Sequence, residues 1–172
     1  MPDRRVDKEY VELWSALYDE TYDAVLTRVG PSVRERGYYD RNDFMAVGRW
    51  KAARTTPLLE SNTEQMLKDV TSTAFGAPEP IRHRVMTLLT GVQVPIASAL
   101  LTAWRPDLYT VIDVRAVKSL VAEGALEESK NLPPYMTYLN ICRELAADCQ
   151  CDLRTLDRAL WQANGRPVGD VT

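Results

Sequence analysis

Apolar side chains recur every three or four residues along most of this chain, the spacing that lines one face of an α-helix. The first stripe runs from Tyr10 to Val29, and Gly30-Pro31 is expected to end it. No stretch alternates apolar and polar residues in the way that predicts a sheet. The pattern therefore predicts an all-α protein of about eight or nine helices, in a single domain over residues 1–172.

The connection LLTGVQVP has the composition of a tight reversal between two helices, the first of which is expected to end near Thr90. Gly91 can adopt the positive φ that such a reversal needs, and Pro95, which has no N–H, suits the first turn of the next helix. Backbone N–H groups at a helix start have no intrahelical acceptor, so together they can bind an anion such as a phosphate. The segment Leu89–Ile96 is therefore predicted to be a hairpin with an anion-binding turn, although Gly91 also suits a plain turn between helices.

Asp113 follows the short apolar run Tyr109–Ile112, expected to be extended and buried, and directly precedes another helical stretch. A carboxylate held at such a place can stabilise a cationic transition state or activate a water molecule. Cleavage of an N-glycosidic bond develops this kind of positive charge on the sugar. The simpler interpretation is that Asp113 caps the following helix, and both roles can hold together. Arg115 is expected either to contact a phosphate or to form a structural salt bridge.

The hairpin and the aspartate together resemble the helix-hairpin-helix DNA glycosylase superfamily, of the endonuclease III and adenine glycosylase type. The pattern leucine–x–glycine–valine–x–x–x–x–alanine from Leu89 to Ala97 carries the resemblance, with Val111-Ile112-Asp113-Val114-Arg115 after it, all within residues 80–122. In that family the hairpin binds the DNA backbone, and an aspartate that ends an apolar run assists excision of a base. The resemblance implies that DNA is the partner and Asp113 the catalytic residue. The DNA contacts are then assigned to Thr90, Gly91, Val92, Gln93, Val94 and Arg115.

Two positions depart from the family's pattern. Gln93 replaces the second hairpin glycine, and Pro95 stands where bifunctional members carry a lysine. Without that amine no Schiff base is expected, so the resemblance implies a monofunctional glycosylase that uses water. Some relatives hold an iron–sulfur cluster on four cysteines, whereas this chain has only Cys142, Cys149 and Cys151, so no cofactor is expected.

A second group of residues has the chemistry of a base pocket. The rings of Tyr38, Tyr39 and Trp50 can stack on an extruded base, and the cations of Lys51 and Arg54 can meet phosphates. The alternative is that Trp50 belongs to the core and that the cations form a solvated face.

Composition limits the class of protein further. A chain of 172 residues with 45% hydrophobic and 26% charged residues can form a soluble core, and no apolar run is long enough to predict a membrane span. The start MPDRRVDKEY is charged and lacks an apolar signal segment, so a cytoplasmic location is expected. The single histidine, His83, does not suffice for a histidine-based metal site.

Two other functions fit the same residues. One is a non-catalytic helix-hairpin-helix module that binds DNA, in which Asp113 is only a cap. The other is an all-α interaction protein that keeps the fold without binding DNA. The formal net charge of −3 favours these alternatives slightly, because a DNA contact would then need a local basic face.

Overall fold

The computed structural model describes residues 6–165, and every regular element in that range is a helix. The expected all-α class is therefore confirmed for the described part of the chain. No helix there is both long and apolar enough to cross a membrane. The first five residues of the charged N-terminal stretch lie outside the described range.

The helices differ widely in length, and short connections join most of them. In chain order they are α1 (Lys8–Ala16), α2 (Ala24–Arg36), α3 (Arg41–Ala52), α4 (Thr56–Glu60), α5 (Glu64–Gly76), α6 (Glu79–Met86), α7 (Val94–Trp104), α8 (Val114–Ala122), α9 (Tyr135–Asp148) and α10 (Leu153–Ala163). Two short 3-10 helices, Glu20–Asp23 and Ala53–Thr55, precede α2 and α4.

The chain divides into two compact units. The first comprises the described residues up to Asp19 together with those from Ile112 onward, and the second comprises Glu20–Val111. In the first unit α10 packs on α1, α8 and α9. In the second unit α7 packs on α2, α3 and α6, and α5 packs on α6. The expectation of a single domain over residues 1–172 is not tested by this division and stays a prediction.

The first apolar stripe forms two helices, and Gly30-Pro31 does not end it. Both residues lie inside α2, whose C-cap residue is Gly37 with a φ of 76°. Gly30 is required there because a Cβ would stand 2.3 Å from the carbonyl oxygen of Ala103 in α7. Gly30 thus lets α2 and α7 approach closely at the turn where Pro31 removes a backbone hydrogen bond.

Helix α5 begins with a different cap from the one that the sequence pattern suggests. A serine three residues before Glu64 matches a capping box, yet Thr63 is the cap, and its Oγ1 accepts from the N–H of Met66 at 3.1 Å. Ser61 instead donates its hydroxyl hydrogen to the carbonyl of Leu58 at 2.6 Å. The connection from α4 to α5 is therefore a tight turn whose polar groups are internally bonded.

Helix α7 is the buried centre of the second unit, since all residues from Ile96 to Ala103 are buried. Its two polar members do not disturb this, because Ser98 and Thr102 donate to the carbonyls of Pro95 and Ser98, both at 2.7 Å. The predicted hairpin therefore stands at the start of a helix that its neighbours hold on all sides.

Candidate functional site

The reversal between α6 and α7 begins earlier than expected. The N–H groups of Thr87, Leu88 and Leu89 donate to carbonyls three residues back at 3.1–3.2 Å, so this stretch is a series of tight turns rather than the expected helix reaching Thr90. Gly91 then takes a φ of 80°, which confirms the expected left-handed conformation.

Gln93, at the place of the family's second glycine, has a backbone that needs no glycine. Its φ of −103° and ψ of 176° are extended values that any L-residue adopts. Gln93 is the N-cap residue of α7, and its side chain makes no capping hydrogen bond. Pro95 lies in the first turn, as expected. The glutamine therefore causes no backbone strain at the turn.

The turn carries several backbone donors without a protein acceptor. Among residues 6–165, the N–H groups of Gly91, Gln93 and Val94 donate to no acceptor. The N–H of Val92 is used, since it donates to the carbonyl of Leu89 at 3.1 Å, and the Val92 side chain is buried. Three donors close together at the start of α7 have the chemistry of an anion site, because the helix dipole adds to their partial positive charge.

Thr90, by contrast, has both backbone polar groups bonded to one side chain. The N–H of Thr90 donates to Oδ1 of Asn62 at 2.9 Å, and Nδ2 of Asn62 donates to the carbonyl of Thr90 at 2.9 Å. Sequence reasoning missed Asn62, because a contact across 28 residues leaves no local pattern. The backbone of Thr90 is therefore a fixed support of the turn rather than a contact to an anion.

Gly91 also lies close to α4, which gives it a second reason to be glycine. A Cβ at Gly91 would stand 2.8 Å from Cβ of Leu58 and 3.3 Å from the backbone nitrogen of Leu59. The plain-turn interpretation therefore has direct geometric support: packing against α4 and the positive φ together account for this glycine.

Asp113 lies in the first unit, directly after the run Tyr109–Ile112, which is buried and outside any helix or strand. Its Oδ1 accepts from the N–H of Ala116 at 2.9 Å, so the predicted cap of α8 is confirmed. The residue is only half-buried. The carboxylate is thus fixed in direction at the end of a buried segment while solvent still reaches the residue.

Tyr138 of α9 is a buried neighbour of this carboxylate. Burial raises the pKa of Tyr138 well above its ordinary value, and the negative charges of Asp157 and Asp113 act in the same direction. The phenol therefore stays protonated at neutral pH. Asp157 is itself buried in α10 and forms an ion pair with Arg154. Sequence reasoning did not single out Tyr138 and Asp157, because both stand at positions on the buried faces of their helices.

Within residues 6–165, Arg115 makes a structural contact of another kind than the salt bridge considered above. Its Cζ lies 3.4 Å from the ring centroid of Trp161, so the guanidinium stacks on the indole of α10. Trp161 in turn packs edge-on against Tyr18, with ring centroids 5.6 Å apart. This stack favours a role for Arg115 in holding α8 to α10, and nothing in the geometry adds to the predicted phosphate contact.

The aromatic residues of the predicted base pocket do not come together in one place. Tyr39 is fully buried, and its hydroxyl donates to the carbonyl of Leu100 at 2.7 Å. Tyr38, in the connection before α3, is half-exposed, with Lys68 Nζ 5.1 Å from its ring centroid. Trp50 lies near the other end of α3, roughly 14 Å along the helix axis from its first residue, Arg41, at the usual rise per residue. We therefore assign Tyr39 to the core and Tyr38 to a separate surface.

Trp50 keeps the partly exposed character that the pocket prediction requires. Its Nε1 donates to the carbonyl of Tyr22 at 2.7 Å, and the two rings lie 6.1 Å apart. Lys51 follows in the same helix and is half-buried, while Arg54 is exposed in the next 3-10 helix. The structure thus groups Trp50, Lys51 and Arg54 around the end of α3 and adds Tyr22, which sequence reasoning missed.

The cysteines are free thiols in an environment that disfavours their ionised form. Burial raises the pKa of Cys142 well above its ordinary value and raises that of Cys151 to about 11. Over the described ranges, no group of three or more histidine, cysteine or acidic side chains is placed to hold a metal ion.

Comparisons with known proteins found no relative of this chain. No protein-family model matches the chain, no curated protein matches it, and no solved structure matches it. Function is therefore inferred from the residues and their geometry.

Proposed function

We propose that this protein is a monofunctional DNA glycosylase of the helix-hairpin-helix type, which hydrolyses the N-glycosidic bond of a damaged or modified base. The observation that carries the proposal is the state of Asp113. One carboxylate oxygen is tied to the N–H of Ala116, while the residue stays half-exposed at the end of a buried segment. A carboxylate that is fixed in direction on a half-exposed residue can supply the negative charge that an oxocarbenium-like transition state needs.

The reaction balances with water as the only co-reactant. The bond between the sugar C1′ and the base nitrogen breaks, and its electron pair leaves with the base. Water adds to C1′, and its proton passes to the Asp113 carboxylate and then to solvent or to the departing base. Pro95 offers no amine, so this chain does not form a Schiff base at that position.

The hairpin supports DNA as the partner. The unpaired N–H groups of Gly91, Gln93 and Val94 suit a backbone phosphate, which needs donors rather than a long basic side chain. Trp50 with its neighbours Tyr22, Lys51 and Arg54 is the best-supported aromatic and cationic surface for an extruded base or its flanking phosphate. A cytoplasmic location belongs to the same proposal, since three free thiols suit a reducing compartment.

A non-catalytic DNA-binding module is the second candidate, and two observations favour it. Packing against Leu58 explains why position 91 is a glycine. The cap that Asp113 forms on α8 explains why that position is an aspartate. In that case the hairpin binds DNA with a steep salt dependence, and no abasic product forms.

The test is a panel of duplex and single-stranded oligonucleotides that carry oxidised, alkylated, mispaired or deliberately modified bases. Abasic product is measured as strand breaks after alkali. Asp113→Asn should keep the cap and lower the excision rate at least about a hundredfold, because it removes the charge. The matched control is Asp152→Asn, since Asp152 caps α10 in the same way, with Oδ1 accepting from Thr155 at 2.7 Å. Equal excision by Asp113→Asn and the parent on every active substrate would remove the glycosylase mechanism. Binding without any product would leave the module.

A further inference from the structure

The turn between α6 and α7 is held by one buried side chain from outside the hairpin. Asn62 is only 5% exposed, and both polar atoms of its carboxamide bond to the backbone of Thr90, as a neighbouring strand would. Its Nδ2 also donates to the carbonyl of Leu59 at 3.0 Å. A carboxamide is suited to this place, because it offers an acceptor and two donors without a charge.

Asn62 is itself held from the opposite side. Nη2 of Arg41 donates to the Asn62 carbonyl at 2.6 Å, and Nη1 of Arg41 donates to the carbonyl of Glu60 at 3.2 Å. Thr63, the next residue, caps α5. The support therefore runs from the start of α3 through the connection between α4 and α5 to the hairpin, and each link is a hydrogen bond.

Thr90 directly precedes Gly91, whose N–H is the first of the three unpaired donors. Fixing both polar groups of Thr90 fixes the plane of the peptide that carries this N–H. A turn that already holds its donors in place binds an anion without the cost of ordering them. We propose that Asn62 is the positioning residue of the hairpin, which sets the Gly91 N–H for a DNA backbone phosphate. This inference rests on the proposed DNA-binding function.

Asn62→Ala removes the bonds to Thr90 and leaves the polar groups of that residue unpaired. The measurement uses a fluorescein-labelled duplex with a tetrahydrofuran abasic analogue, with binding followed by anisotropy. We expect the dissociation constant to rise about tenfold. Under single-turnover conditions on an active substrate, the rate at saturating protein should stay unchanged while the half-saturating concentration rises. Asn140→Ala, at an exposed position in α9, is the control and should leave both values unchanged.

Asn62→Asp keeps the shape of the side chain and adds a pH readout that a general loss of stability would not produce. The ionised aspartate would face the carbonyl oxygens of Thr90 and Leu59, so binding should be weak near pH 8. Once protonated, the carboxyl regains one donor and one acceptor. Binding relative to the parent should therefore recover as the pH falls towards about 5. This variant decides the matter if Asn62→Ala does not fold.

The outcomes separate this inference from the proposed function. If the parent binds DNA and both Asn62 variants bind equally well at every pH, the positioning role is wrong while the glycosylase proposal stands. If the parent binds no DNA at all, both are wrong. Weaker binding by Asn62→Ala, or recovery of Asn62→Asp at low pH, supports the positioning role.

Discussion

The hydroxyl of Tyr39 donates to the main-chain carbonyl of Leu100 at 2.7 Å, inside the second unit and away from solvent. This bond joins the connection before α3 to the middle of α7. The N–H of Tyr39 donates to Oγ1 of Thr71 at 2.9 Å, so the residue also contacts α5. Burial raises the pKa of the phenol well above its ordinary value, and it remains a neutral donor.

Tyr39→Phe should destabilise the protein by about 1 kcal/mol, because the carbonyl of Leu100 loses its buried partner. Urea unfolding followed by circular dichroism measures this. Tyr38→Phe is the control and should change stability by less than about 0.5 kcal/mol, since that ring is partly exposed. A large loss of base excision by Tyr39→Phe with unchanged stability would contradict this core assignment and support the predicted base pocket.

Gly91→Ala should cost more stability than Gly37→Ala. Both glycines have a positive φ, so either alanine strains the backbone by about 1 kcal/mol. Only at Gly91 would the new Cβ also meet Leu58, at 2.8 Å, whereas nothing lies within 4 Å at Gly37. The added contact should cost a further 1 to 3 kcal/mol or so. Equal unfolding midpoints for the two variants would contradict the close packing of the hairpin on α4.

The free energy of unfolding should fall as the pH is lowered through the range in which His83 takes up a proton. Burial, and after it the charge of Arg84, lowers the pKa of this histidine below its ordinary value. The unfolded chain therefore binds a proton more readily than the folded one below about pH 6.5. The contribution of His83 is fully present above that pH and is lost as the pH falls towards the folded pKa.

The comparison of the parent with His83→Gln isolates this effect, because His83 is the only histidine in the chain. Urea midpoints measured between about pH 7.5 and pH 5 should fall more steeply for the parent than for the variant. Parallel curves would mean that His83 has its ordinary pKa in the folded state.

Local signals predicted the parts of the candidate site that depend on short-range chemistry. The positive φ of Gly91 and the cap formed by Asp113 both follow from residues within a few positions of each other. The burial of Tyr109–Ile112 was predictable for the same reason, since four apolar or β-branched residues in a row suit an interior segment.

Contacts between distant residues account for what the pattern missed. Gly30-Pro31 suggests a helix end, yet both residues lie inside α2, where Gly30 leaves room for the carbonyl of Ala103. The pair Tyr38-Tyr39 looks uniform, yet one ring is half-exposed and the other is in the core, where Leu100 and Thr71 bond it. No local pattern marks Asn62, because the residue that it bonds, Thr90, lies 28 residues later in the chain.

The carboxamide of Asn62 joins the hairpin to the connection between α4 and α5 by hydrogen bonds, so ordering one segment should also order the other. A phosphate that seats on the turn should therefore slow hydrogen exchange at Thr90 and also at Asn62 and Thr63, which no ligand needs to touch. Nuclear magnetic resonance can follow these amides during a titration with oligonucleotides. Such a signal does not depend on product formation, so it can rank nucleic acids as ligands before the proposed excision activity is tested.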